Sequence, residues 1–180
     1  MRGILQDALY LVSSCVREPL KRSVMLLRVA QKSYSPAMLL DQIALRFKKL
    51  SQHQKLEYSM AGPASETDIS QVEKRLDISF PEQVRSFYLR YNGLRVTDPH
   101  LEILSLEQLE FSSANFLHFA ILNQGIKLCF DVSKTNDANQ WDIVSIDGIR
   151  VTLTMASFWS NRMWSWIERG RAIWLPEDAT

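Results

Sequence analysis

At Asn92-Gly93 the spacing of apolar residues changes from a helical period of about 3.6 to a strand period of about 2, and no other feature of the chain constrains its fold as strongly. Upstream, Ile69, Val72 and Leu76, then Val84, Phe87 and Tyr88 or Tyr91, recur at helical intervals. Downstream, Leu101 with Ile103, Phe116 to Leu122, Ile126 to Val132, Trp141 to Ile146 and Ile149 to Leu153 form short strand-like runs. Asn123-Gln124-Gly125 and Asp147-Gly148 are short hairpin connections, so the strands they join are antiparallel. The expectation is an α+β fold: an antiparallel β meander packed against N-terminal helices and a C-terminal helix.

Punctuation residues set the element boundaries. Ser35-Pro36 predicts a helix entry, with serine at the cap and proline at the first helical position, ahead of Met38, Leu39, Ile43, Leu45, Phe47 and Leu50. A polar stretch, Ser51 to Lys55, and a loop over 58–63 closed by Gly62-Pro63 follow. Ser65 and Asp68 have the spacing of a capping box, with Asp in the place of the usual Glu. Ile78 and Phe80 read as an extended link, and Pro81 opens a third helix that Asn92-Gly93 ends. The last element, Ala156 to Arg169, is rich in aromatics, ends at Gly170, and reads as a helix closing the open face of the sheet.

Charge divides the chain more than it characterises it. With 21 basic and 20 acidic residues, the formal charge of +1 creates no field that recruits nucleic acid or an acidic membrane. Residues 1–36 hold six basic and two acidic side chains, on two short amphipathic helices from Ile4 to Val16 and Leu20 to Lys32. The remaining residues hold 15 basic and 18 acidic side chains. The expected organisation is a basic helical leader at 1–36 that the fold does not need, a domain at 37–172 and a tail at 173–180. No aromatic platform interleaves with Arg17, Lys21, Arg22, Arg28 and Lys32, so nucleic-acid binding is not expected of the leader. No run of 18 apolar residues suits a membrane span. Cys15 and Cys129 have neither disulfide-framework nor zinc-ligand spacing, which fits a reducing cytoplasm.

Chemistry needs titratable groups gathered at one place. His53, His100 and His118 each lack a partner motif, and Cys129, between Leu128 and Phe130, reads as a small buried hydrophobe. Nucleophile-elbow, metalloprotease and phosphate-loop motifs are absent from the sequence. No catalytic residue, cofactor or metal is therefore expected. What remains is surface: Asp131, Asp137, Asp142 and Asp147 fall in or beside the loops and strand ends of the meander, where they would meet a basic protein partner. Trp141 and Trp159 are the aromatic anchors expected for such an interface.

The segment 69–93 has a helix with a central Glu73 and a closing Leu76, the step Phe80-Pro81, a helix with an inward Phe87, and a terminal Asn92-Gly93. This order resembles the signature of the SUKH superfamily, which groups fungal Smi/Knr cell-wall regulators with bacterial immunity proteins. Phe116 to Leu122, Lys127 to Asp131, Trp141 to Ile146 and Ser157-Phe158 extend the resemblance over about Met38 to Gly170. Phe80 replaces the family's Leu, Asp77 its Gly after the helix, and Val84 an aromatic. The resemblance implies an immunity protein, a cytoplasmic binder that covers a cognate toxin such as a basic nuclease. Its alternative is a regulatory or scaffolding protein of the cell-wall-regulator type.

Overall fold

The computed structural model describes residues 36–123 and 125–174, so the expected leader, Pro36 apart, and the residues after Trp174 lie outside the described part. The first helix, α1 (Pro36–Gln54), buries Leu40, Ile43, Phe47 and Leu50 along one stripe and runs one turn beyond the last of them. Tyr58–Met60, read above as loop, is an edge strand, β1, that pairs with Leu94–Val96, β2. Three residues are too few for periodicity to declare a strand. Tyr58 stacks on Phe47 with ring centroids 5.1 Å apart, which anchors this edge to α1.

Local chemistry dictates α2 (Glu66–Leu76). The Ser65 hydroxyl accepts from the Asp68 amide at 3.1 Å, and the Asp68 carboxylate accepts from the Ser65 amide at 2.8 Å, completing the expected capping box. At the other end Asp77 takes the left-handed conformation, φ 54°, that ends many helices. Glu73 then fixes the next connection: its carboxylate accepts from the Phe80 amide at 2.7 Å and from the Arg85 guanidinium at 3.0 Å. Pro81 stands at the cap of α3 (Glu82–Tyr88), so the helix begins one position later than expected and ends at Tyr88, ahead of Asn92-Gly93. Gly93 has φ 109°, and a Cβ there would stand 3.1 Å from the Ile103 carbonyl oxygen, so glycine is required where the chain turns into the sheet.

The sheet has eight strands, and every pairing is antiparallel. After β1 and β2 come β3 (Leu101–Ile103), β4 (Glu110–Ser113), β5 (Phe116–Leu122), β6 (Ile126–Asp131), β7 (Asp142–Ser145) and β8 (Arg150–Thr152). Their order is β1-β2-β3-β5-β6-β7-β8, with β4 paired to the first half of β5. β2 and β4 were not foreseen: one is three residues long, and the other is exposed throughout and carries no alternation. A bulge in β5 inserts Phe119 between His118 and Ala120, and Leu117, Phe119 and Ala120 are all buried as a result. Phe119 stacks on Phe130 of β6 at 4.0 Å and meets Phe158 edge-on at 5.7 Å.

Covering the inner face is the C-terminal helical element, α4 (Met155–Ser157), a π-helical stretch (Phe158–Met163) and α5 (Trp164–Arg169) in direct succession. Six consecutive π residues widen the helix where Phe158, Trp159 and Met163 enter the core. Gly170 ends the element at φ 63°, as expected. Ile173 beyond it is buried, and Trp174 meets Trp166 edge-on at 4.9 Å.

Candidate functional site

Strand pairing builds the site. Asp131 at the end of β6 lies directly opposite Asp142 at the start of β7, and Phe116 of β5 is the next cross-strand neighbour of Asp131. Leu117, Phe130 and Ile143, one position along, are fully buried in the core, so alternation puts Phe116, Asp131 and Asp142 on the opposite, outer face. Two carboxylates facing one another repel, and both are held by neighbours. Asp131 accepts from the Ser133 amide at 3.0 Å and the Ser133 hydroxyl at 2.6 Å. Asp142 accepts from the Asn136 side-chain amide at 2.8 Å and lies 3.7 Å from the Arg150 guanidinium.

Asn136 organises the connection between β6 and β7. Its amide nitrogen also donates to the Leu153 carbonyl at 2.6 Å, and its oxygen accepts from the Ala138 amide at 2.9 Å. One side chain thus ties the loop to β7 and to the end of β8, and the next residue, Asp137, is exposed. The fourth acid, Asp147, sits in the β7–β8 turn. Neighbouring Gly148 (φ 80°) packs so close to Phe116 that a Cβ would contact the ring at 3.4 Å, which brings this turn to the same row. In the same turn Ile146 and Ile149 are 46% and 41% exposed, and Leu153, just past β8, is 50% exposed. The structure thus brings Asp131 and Asp142 together beside Phe116 and the β7–β8 turn, with Arg150 near Asp142, and Asn136 and the isoleucines are the members that sequence reasoning did not single out.

The tryptophans belong elsewhere. Trp159 has no exposed surface: it stacks on Phe87 at 5.9 Å and meets Phe47 edge-on at 6.3 Å. Trp141 packs on Phe80 and Phe130, each at 5.9 Å, and is 5% exposed. A side chain inside the core offers a partner nothing, so the expectation that these two are interface anchors is corrected. Aromatic content along the last element marked a core-covering face.

Beneath the outer face lie the buried His118 of β5 and Cys129 of β6, which are cross-strand neighbours. Burial pushes the Cys129 thiol above its ordinary value, away from the thiolate that a nucleophile needs. Burial, helped by Lys127, lowers His118, whose Nε2 meets the Ala120 carbonyl at 3.1 Å. Among the described residues no group of three or more His, Cys, Asp or Glu side chains is placed to hold a metal ion. No described helix is long and apolar enough to cross a membrane.

The Bacillus subtilis (strain 168) protein YnaB, itself uncharacterised, is 44% identical over 45 residues, which is 25% of this chain and 31% of that protein. The match thus spans about a third of that relative's length. A model of the SMI1 / KNR4 family (SUKH-1) matches residues 63–160, from the loop before α2 to the π-helical stretch. With more than half of its length matched, the chain belongs to the SMI1 / KNR4 family (SUKH-1).

Proposed function

We propose that this protein is a non-catalytic binding module, an immunity protein that neutralises a cognate toxin by remaining bound to it in the cytoplasm. Membership of the family supports a protein-binding role of the immunity or cell-wall-regulator kind. The observation that carries the reading further is the Asp131–Asp142 pair, two like charges held side by side on the outer face, with the turn that carries Asp147 packed against the neighbouring Phe116. Such an arrangement costs stability in the free protein and is complementary to a basic surface, such as that of a nuclease built to hold phosphate backbones. Ile146, Ile149 and Leu153 supply the apolar area that charge alone does not.

Protection by occlusion is stoichiometric, and at cellular concentrations it needs nanomolar affinity, about −12 kcal/mol. The test is titration of the purified protein into the toxin encoded beside its own gene, with toxin activity as the readout. Inhibition should complete at one equivalent. Complete inhibition at a small fraction of an equivalent would mean that the protein turns over as an enzyme. If no toxin gene adjoins its own and the acidic surface instead captures a signalling or cell-wall protein, the regulatory reading replaces this one.

A further inference from the structure

A groove of about 670 Å³ runs along α1 beside α5. Gln42, Leu45, Arg46, Lys49, His53 and Gln54 line it at helical intervals, so one stripe of α1 forms its floor over about 18 Å. This stripe lies beside the one that Ile43, Phe47 and Leu50 bury in the core, and Glu168 of α5 stands on the opposite wall.

The groove is built in advance. The Arg46 Nε donates to the Glu168 carboxylate at 2.7 Å, and the guanidinium lies 4.5 Å from the centre of the Trp164 ring, so an ion pair and a cation–π contact fix the junction of the two helices. The His53 Nδ1 donates to the Lys49 carbonyl at 2.8 Å, which lays the imidazole against the helix at the far end. Leu45 stands between them, 66% exposed, the most exposed large apolar side chain among the described residues. Between Gln42 and Leu56 the chain carries Arg46, Lys48, Lys49 and Lys55 and no carboxylate. Of these four cations only Arg46 has an acidic partner among the described residues. The negative dipole end of α1 accounts for cations near its C-terminus, but not for a leucine left in water among them.

We propose that this groove receives an amphipathic α-helix of a partner protein, which lays a row of apolar side chains over Leu45 and sets acidic residues against Lys49 and its neighbours. The ridges of α1 interdigitate with those of a second helix, whereas an extended peptide would find no unpaired main chain to bond along a helix wall. Charge complementarity makes the acidic form of such a helix the one that fits. A second copy of this chain offers none among the described residues, because α2 and α3 turn their apolar faces into their own core. The groove shares no residue with the Asp131–Asp142 pair, so it stands or falls independently of the toxin-binding reading.

The experiment is a fluorescence-anisotropy titration of the full chain into a labelled synthetic helix of about 14 residues, with leucine at every third or fourth position and glutamate between. One control peptide carries lysine for glutamate, and another has the same composition in an order that breaks the apolar stripe. The acidic helix should bind at micromolar concentration, and both controls at least about tenfold more weakly. Leu45→Gln and Lys49→Glu, both at exposed positions, should each weaken binding at least about tenfold with the melting temperature unchanged, while Lys134→Glu, outside the groove, should leave it unaltered. Equal binding of either control peptide, an unaltered affinity in Leu45→Gln or Lys49→Glu, or an equal loss in Lys134→Glu would overturn the site. So would binding of anionic lipid vesicles or of an oligonucleotide that the two groove variants abolish, with no response to the acidic helix.

Discussion

Asp131 and Asp142 face one another across β6 and β7, and each turns its carboxylate to a different partner, Ser133 and Asn136. An opposed pair of like charges destabilises a sheet by a fraction of a kcal/mol to about 1 kcal/mol. Asp131→Asn keeps an oxygen for the Ser133 bonds and removes one charge, so the free protein should become more stable by about 0.3–1 kcal/mol in urea unfolding. The same substitution should slow association with the basic partner and flatten its salt dependence, and the further changes Asp137→Asn, Asp142→Asn and Asp147→Asn should deepen both effects. Unchanged association of the quadruple variant at low salt would place the interface elsewhere.

Trp159 connects α1, α3 and the C-terminal helix through Phe47, Phe87 and Trp164, and its indole nitrogen is buried without a hydrogen-bond partner. Trp159→Ala opens a large cavity and should cost about 3–5 kcal/mol. Trp159→Phe loses contact area but also removes an unsatisfied donor, itself a penalty of about 1–3 kcal/mol, so its net loss should be no more than about 1 kcal/mol. Chemical denaturation of the two variants distinguishes them, and equal losses would mean that the indole nitrogen has found a partner.

Elements whose causes are local were legible in the sequence. The Ser65–Asp68 box, the Gly170 stop and the switch of period at Asn92-Gly93 each depend on residues a few positions apart, and the structure has all three. Elements that depend on distant partners were not. The strand β1 exists because β2 pairs with it, 36 residues away from Tyr58 to Leu94 in the chain, and no pattern within Tyr58–Met60 announces this. The four acids were visible as residues of the meander, but the opposition of Asp131 to Asp142 depends on a register that the side chain of Asn136 helps to pin across a long loop. Whether Trp159 points inward or outward is decided by Phe47 and Phe87, and a π-helical stretch has no sequence period to betray it.

His118 makes stability depend on pH. Burial, reinforced by Lys127, holds its folded-state value below the 6.5 of an unfolded chain, while the Ala120 carbonyl and Glu110 oppose that shift in part. Between the lowered value and 6.5 the unfolded chain binds the extra proton, so stability is complete above pH 6.5 and is lost as pH falls through that window. The urea midpoint should be lower at pH 5.5 than at pH 7.5, and His118→Gln should remove that difference. A midpoint independent of pH in the parent protein would show that the buried imidazole is accommodated in its charged form.

Asp77 occupies the left-handed position after α2, a conformation that glycine adopts without strain, with φ 54° and ψ 45°. A side chain there costs about 1 kcal/mol against glycine, less for Asp than for most residues, because its short polar group tolerates this geometry. Its negative charge adds to the cost, since it stands at the negative end of the α2 dipole. Against these gains, glycine loses more backbone freedom on folding. Asp77→Gly should therefore stabilise the protein by about 0.5–1 kcal/mol, Asp77→Asn by a few tenths through loss of the charge alone, and Asp77→Ala should destabilise it by about 1 kcal/mol. Urea midpoints at low salt and at 1 M salt separate the two contributions: salt should erase the gain of Asp77→Asn and leave most of that of Asp77→Gly. An Asp77→Gly midpoint below that of the parent would mean that the Asp77 side chain makes a contribution of its own to the α2–α3 link, larger than the strain of its backbone.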